Sequence, residues 1–128
     1  LIKACLENNI KITVLPGPSA FLTALIGSGL PADKFLFLGF LPKKGTKNYL
    51  VKYKNFDGTI IFYDSPHRFK KNLNFIKDIY PEAYIVISRE ISKIYEEYLR
   101  GHIDEIINIL KEKPIKGEIT IILRNNFK

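Results

Sequence analysis

The sequence predicts an α/β domain in which helices flank a sheet of mixed parallel and antiparallel strands. Three observations predict it. Short apolar runs rich in β-branched residues, such as Thr59-Ile60-Ile61-Phe62-Tyr63, alternate with segments whose apolar residues recur at helical spacing. Residues 84–102 hold two strand patterns with no helical pattern between them, which a purely parallel sheet does not permit. A length of 128 residues, 46% of them hydrophobic and spread in short blocks, suits one compact domain.

The elements follow in order. Residues 1–6 read as an amphipathic helix in progress, stopped by Glu7-Asn8-Asn9, and residues 10–15 as a strand ended by Pro16-Gly17-Pro18. A helix then starts at Pro18 or Ser19 and closes near Gly27-Ser28-Gly29. Residues 35–40 form a strand, and Thr46 caps a basic surface helix reaching about Lys54. Residues 59–63 are the clearest buried strand. Ser65 caps the next helix with Pro66 at its first position, and Phe69, Leu73, Ile76 and Tyr80 line its inner face until Pro81. Strands at 84–88 and 95–102, a helix at 104–111 that Ile103 can begin, and a strand at 118–123 complete the chain.

Composition narrows the function classes. No apolar run reaches the roughly 18–20 residues of a membrane-spanning helix. No basic, cleavable leader is seen at Leu1, and the single Cys5 rules out an internal disulfide framework and a cysteine zinc knuckle. These features point to the cytoplasm. His67 and His102 lack carboxylate partners at metal-ligand spacing, so no metal is expected. The formal charge is +7 and it is clustered. Lys43, Lys44, Lys47, Lys52 and Lys54 share one stretch without an acid, and Arg68, Lys70 and Lys71 form a second group, the pattern expected of a polyanion partner.

Four segments carry more polar or small residues than their elements require. Pro16, Gly17, Pro18, Ser19 and Ala20 lie where a strand feeds a helix, which lets a ligand approach the backbone; an ordinary turn is the competing reading. Asp64, His67 and Arg68 surround another strand-to-helix junction, where an anion or solvent is equally suited. The run from Ser88 to Glu97 is either functional or a salt-bridged surface loop, and Lys116-Gly117-Glu118 is a charged turn entering a strand. There is no P-loop, GxGxxG, HExxH or GxSxG.

Taken together, LPGPSA (15–20), GLPADKFLFLGFLPKK (29–44), FYDSPHR (62–68), REISKIYEE (89–97) and KGEITIIL (116–123) resemble the ribosomal RNA small subunit methyltransferase I family, a branch of the tetrapyrrole methylase (class III) fold. The SPHR and RE-SK-EE blocks are the specific part. The chain departs from the family at Asp64, where members usually carry Glu, and at Tyr95, where they carry His.

The resemblance implies that residues 1–15 are the last helix and strand of an N-terminal methyltransferase domain. Residues 16–128 would then be the C-terminal domain, with S-adenosylmethionine between the two and little activity in this chain alone. The expected reaction is 2′-O-methylation of a cytidine in 16S ribosomal RNA, by a protein that is commonly a homodimer. Pro16 to Ala20, Gly117 and Glu118 would line the cofactor pocket. Glu90 or His67 would orient or deprotonate the hydroxyl. Arg68, Arg89, Lys93, Lys43, Lys44 and Lys47 would meet the RNA. A class III methyltransferase for a tetrapyrrole precursor and a non-catalytic basic RNA-binding domain are the alternative functions.

Overall fold

The computed structural model describes residues 1–127 apart from Pro16 and Pro18. Five strands, β1 (Phe35–Phe40), β2 (Thr59–Asp64), β3 (Tyr84–Arg89), β4 (Glu97–His102) and β5 (Ile119–Arg124), pair in the order β1-β2-β5-β3-β4. β1 and β2 are parallel and all other pairs antiparallel, so the predicted mixed sheet is present. The last strand in sequence lies at the centre, between β2 and β3.

Alternation along the strands builds two apolar layers. Ile60 and Phe62, Ile85 and Ile87, and Ile119, Ile121 and Leu123 face one side. There they pack with Leu50 of α3 (Thr46–Val51), Phe69, Leu73 and Ile76 of α4 (Pro66–Ile79), and Ile103, Ile106 and Leu110 of α5 (Ile103–Glu112). Ile61, Val86 and Ile122 face the other side and meet Ala24 and Leu25 of α2 (Ala20–Ser28). Each fully buried isoleucine contributes about 1.5–3 kcal/mol. A slip of one residue would exchange the two faces, so burial fixes the register.

Local chemistry sets the helix limits. The Ser65 hydroxyl accepts the Arg68 N–H and Pro66 occupies the first turn, as predicted. Gly29, at φ 77°, ends α2 in the left-handed conformation. In α5 the Glu105 carboxylate accepts the His102 N–H at 2.7 Å, the returning half of a capping box. The first helix, α1, spans Ile2–Glu7.

Three expectations are corrected. No strand forms at residues 10–15: none of the five strands pairs with this segment, and Ile10 and Leu15 are exposed. An alternating pattern becomes a strand only where a partner completes its ladder. Gly45, at φ 72°, precedes α3 in place of Thr46, whose hydroxyl turns back to the Pro42 carbonyl at 2.8 Å. α3 also stops at Val51, because Tyr53 and Lys54 donate three residues back, to Leu50 and Val51. Finally, β4 starts at Glu97, not Tyr95, because residues 90–96 form a turn with Glu90 and Ser92 at positive φ. Among the described residues no helix is long and apolar enough to cross a membrane, and no cluster of potential metal ligands occurs.

Candidate functional site

The sheet register brings distant segments to one end. Asp64, at the end of β2, lies opposite Ile119, at the start of β5; Ile119 lies opposite Arg89, at the end of β3, and Arg89 opposite Glu97 of β4. The junctions 64–68, 89–97 and 116–118 therefore share an edge, although up to 54 positions separate Asp64 from Glu118 in the chain. A cleft of about 450 Å³ opens there, lined by Ala20, Phe40, Tyr63, Asp64, Ser65, Pro66 and residues 117–120. Phe40 and Tyr63 form an aromatic wall, their ring centroids 5.3 Å apart. At the start of α2, beside Ala20, Ser19 makes no side-chain cap bond, and among the described residues no other side chain bonds the first amides of that helix.

Asp64 organises the β2–α4 junction. Its carboxylate is wholly buried and accepts the Ser65 N–H and the Asn72 amide, each at 2.9 Å. Arg68 Nε stands 3.5 Å from the same carboxylate, while its Nη2 donates to the carbonyls of Leu41 at 2.6 Å and Pro42 at 3.2 Å. Both carboxylate oxygens of Asp64 are thus partnered within the chain. Arg68, partly exposed, ties the segment after β1 to the first turn of α4.

The opposite lip is a second network. Glu90, at φ 50°, accepts the Glu118 N–H at 2.7 Å and approaches Lys93, which in turn reaches the Glu118 carboxylate at 2.9 Å. The Glu118 N–H and, less strongly, Lys93 and Arg89 hold the Glu90 carboxyl below the usual carboxylate range. Bonds to Glu118 and Glu90 push the Lys93 ammonium upward. Arg89 donates to the Lys116 carbonyl at 2.6 Å and to Glu97 at 3.0 Å. Gly117 sits at φ 90°, and a methyl group there would lie 2.5 Å from Glu90 Oε1. A glycine is required, both by the backbone and by the neighbouring carboxylate.

Of the residues expected at a cofactor, Ala20, Gly117 and Glu118 line the cleft. Gly17 is exposed with open space around it, Ser19 caps α2 by position only, and Pro16 and Pro18 lie outside the described residues. His67 is exposed and borders a neighbouring depression with Lys70 and Lys116. Lys43 and Lys47 line a groove together with Arg68 and Lys71, and Lys44 is exposed outside it. Sequence reasoning missed Phe40, Tyr63 and Asn72. Phe40 ends β1 and Tyr63 is the penultimate residue of β2, both inside the motifs at 29–44 and 62–68 but without charged groups to mark them. The third is a lone amide among the inward positions of α4, and that placement was the available signal.

Comparison with known proteins places this geometry in context. The family described as Tetrapyrrole (Corrin/Porphyrin) Methylases matches residues 1–107. A Hydrogenobaculum sp. protein named Ribosomal RNA small subunit methyltransferase I is 45% identical over 96% of the chain and 54% of its own length. The protein of that name from Streptococcus pyogenes serotype M1 is 41% identical over 96% of the chain and 44% of its own. The chain therefore spans about half the length of these relatives. Among solved structures, the methyltransferase CobJ superposes with a TM-score of 0.64 at 18% identity, covering 98% of this chain and 56% of that one. Uroporphyrin-III C-methyl transferase from Thermus thermophilus, complexed with S-adenyl homocysteine, superposes at 0.60 and 16% identity, covering 96% and 57%. At these identities the two structures speak to the fold alone.

Proposed function

The chain belongs to the tetrapyrrole methylase family, and on that premise we propose that it forms part of an S-adenosylmethionine-dependent methyltransferase acting on small-subunit ribosomal RNA, at the 2′-hydroxyl of a cytidine. The observation that carries the reading is the meeting of the α2 start, the β2–α4 junction and the Gly117-Glu118 turn at one cleft. A chamber of about 450 Å³ falls in the range of small-molecule sites, roughly 300–1,000 Å³. Its aromatic wall, helix amides that no described side chain caps and side-chain-free Gly117 suit a ligand that is apolar in one part and polar in another. The names of the relatives supply the substrate class, and an excess of lysine and arginine agrees with it.

When bound, the cofactor supplies a methyl group already activated by a positive sulfur. The chain's own task is then placement and proton handling. Ala20, Gly117 and Glu118 would hold the cofactor from two sides, and in-line placement of the hydroxyl can lower the barrier by several kcal/mol, about 7–11 in ideal cases. Glu90 and His67 are the candidates for orienting or receiving the hydroxyl proton. Glu90 is engaged with Glu118 and Lys93 and held more acidic than usual, which suits positioning of the Gly117-Glu118 turn. The ring of His67 makes no hydrogen bond among the described residues, and it follows Pro66 of the cleft wall, which suits proton acceptance. Lys43, Lys44, Lys47 and Lys93 would contribute RNA contacts, with Arg68 and Arg89 shaping the surface from beneath. Residues 1–15 would belong to the N-terminal methyltransferase domain of the family and residues 16–128 to its C-terminal domain. A cytoplasmic homodimer completes the proposal.

Calorimetric titration of S-adenosylhomocysteine into this chain and into the full-length protein tests the reading, followed by nucleoside mass spectrometry of treated 16S RNA. Binding by the full-length protein and appearance of 2′-O-methylcytidine support it. Absence of binding in both would sink the methyltransferase assignment. Methylation of a base or of a tetrapyrrole would sink the reaction proposed.

A further inference from the structure

The two basic clusters of the sequence, far apart in the chain, form one groove. Lys43, Gly45, Thr46, Lys47 and Asn48 of α3 and its approach face Arg68, Lys71, Asn72 and Phe75 of α4 across a trough of about 560 Å³, larger than the cleft. Arg68, Lys71 and Phe75 follow at helical spacing and so share one face of α4. Among the described residues no carboxylate lies within 4 Å of Lys43 or Lys71, while Lys47 pairs with Asp78 at the far end. Phe75 is 39% exposed amid these cations, and Lys47 Nζ stands 5.9 Å from its ring centroid.

Solvated lysines alone would be an ordinary helix surface. An exposed aromatic ring in the floor of a cationic trough is not, because leaving a phenyl ring in water forgoes its burial. Cations that follow a backbone, with a ring on which a base can stack, are the combination used for single-stranded nucleic acid. The groove also adjoins the cleft. Arg68 lines the groove, Asp64 lines the cleft, and the two are ion-paired at 3.5 Å. By clamping the carbonyls of Leu41 and Pro42, Arg68 also fixes the distance between the walls.

We propose that this groove carries a single-stranded RNA segment flanking the nucleotide to be methylated, with Lys43 and Lys71 on its phosphates and a base stacked on Phe75. The inference rests on the methyltransferase reading for what occupies the cleft, but it concerns a separate surface. Arg68 acts as a positioning residue of the wall.

The test is fluorescence anisotropy of a labelled single-stranded RNA oligonucleotide and its duplex, with full-length protein, K43A/K71A and F75A. Each single-strand phosphate contact contributes about 0.7 to the slope of log K against log salt. The double variant should therefore have a slope shallower by about 1.4 and, at 0.1 M salt, bind about 25-fold more weakly. F75A should lose about tenfold on the single strand and little on the duplex. Heats of S-adenosylhomocysteine binding should match the parent protein in both variants, K43A/K71A should melt with the parent, and F75A should stay folded with Tm lower by about 4 °C. Unchanged RNA affinity and slope in K43A/K71A, or no RNA binding by the parent, would overturn the groove. Equal losses of F75A on the two RNAs would overturn the stacking. A parent that binds RNA through the groove but gives no S-adenosylhomocysteine heat would leave the groove standing and refute the methyltransferase reading instead.

Discussion

Substituting Gly117 by alanine should damage the cleft through two separable effects. The first is backbone strain: at φ 90° a residue with a Cβ is held in a sparsely populated region, at a cost of about 1–3 kcal/mol. The second is a collision. The new methyl would lie 2.5 Å from Glu90 Oε1, 2.8 Å from its Cδ and 2.9 Å from its Cγ. Glu90 must swing away and abandon the Glu118 N–H that it accepts at 2.7 Å. For a domain of this size each kcal/mol lowers Tm by about 4 °C, so strain alone predicts a fall of about 4–12 °C. Circular dichroism melts measure this total. Adding E90A should relieve the collision but not the strain, so the double variant should recover only part of the loss. A melt of G117A within a degree of the parent, or complete rescue by E90A, would refute the account of this turn.

Other outcomes follow from the same geometry. D64A removes a buried carboxylate with three partners, leaving the Asn72 amide without its acceptor and Arg68 held only by the Leu41 and Pro42 carbonyls; a loss of about 1–3 kcal/mol is expected in urea denaturation. Y80F deletes a buried hydroxyl that donates to the Leu50 carbonyl at 3.1 Å and whose ionisation burial pushes up to about 12. It should cost about 1 kcal/mol in the same assay. Glu90 is more acidic folded than unfolded, so its stabilisation is complete above its ordinary value of 4.5 and fades as the pH falls further. Lys93 is shifted upward, so its contribution is complete below 10.5 and fades as the pH rises beyond that. Melts of E90Q across pH 3–6 should consequently show a weaker acid-side decline than the parent; an identical slope would mean that the Glu90–Glu118 contact is not formed in solution.

What could be read in advance divides by the distance over which the deciding interaction acts. Ser65 and Pro66 announce α4 because a cap and a fixed φ work within one turn. The isoleucines of β2 and β3 announce buried strands because a short run of β-branched apolar residues is legible from neighbours in sequence. Residues 10–15 carry the same local signal and form no strand, since pairing is a property of a second segment. The roles of Arg68 and Arg89 were hidden for a similar reason. Each suits a phosphate in sequence, and in the structure each also donates to a carbonyl 27 positions away. Lys43 and Lys71 were legible as charge but not as opposite walls of one groove, because only the packing of α3 on α4 brings them together.

The central position of β5 connects core and site more tightly than either would require alone. Its inward residues Ile119, Ile121 and Leu123 are held on the face shared with α4 and α5, and Ile122 on the face of α2. That register fixes where the strand begins and hence where Gly117 and Glu118 stand beside Asp64 and Glu90. A one-residue slip would move the turn by about 3.3 Å along the strand, more than the length of the Glu118–Glu90 hydrogen bond. It would also carry the alternating isoleucines to the wrong layers. The energy that resists this is hydrophobic and distributed over the sheet, whereas the groups it positions are polar and few. The exposed contacts of Lys93 and Glu118 therefore need only trim a turn that the core has already placed, which is why such solvent-screened pairs can line a cleft without having to hold it open.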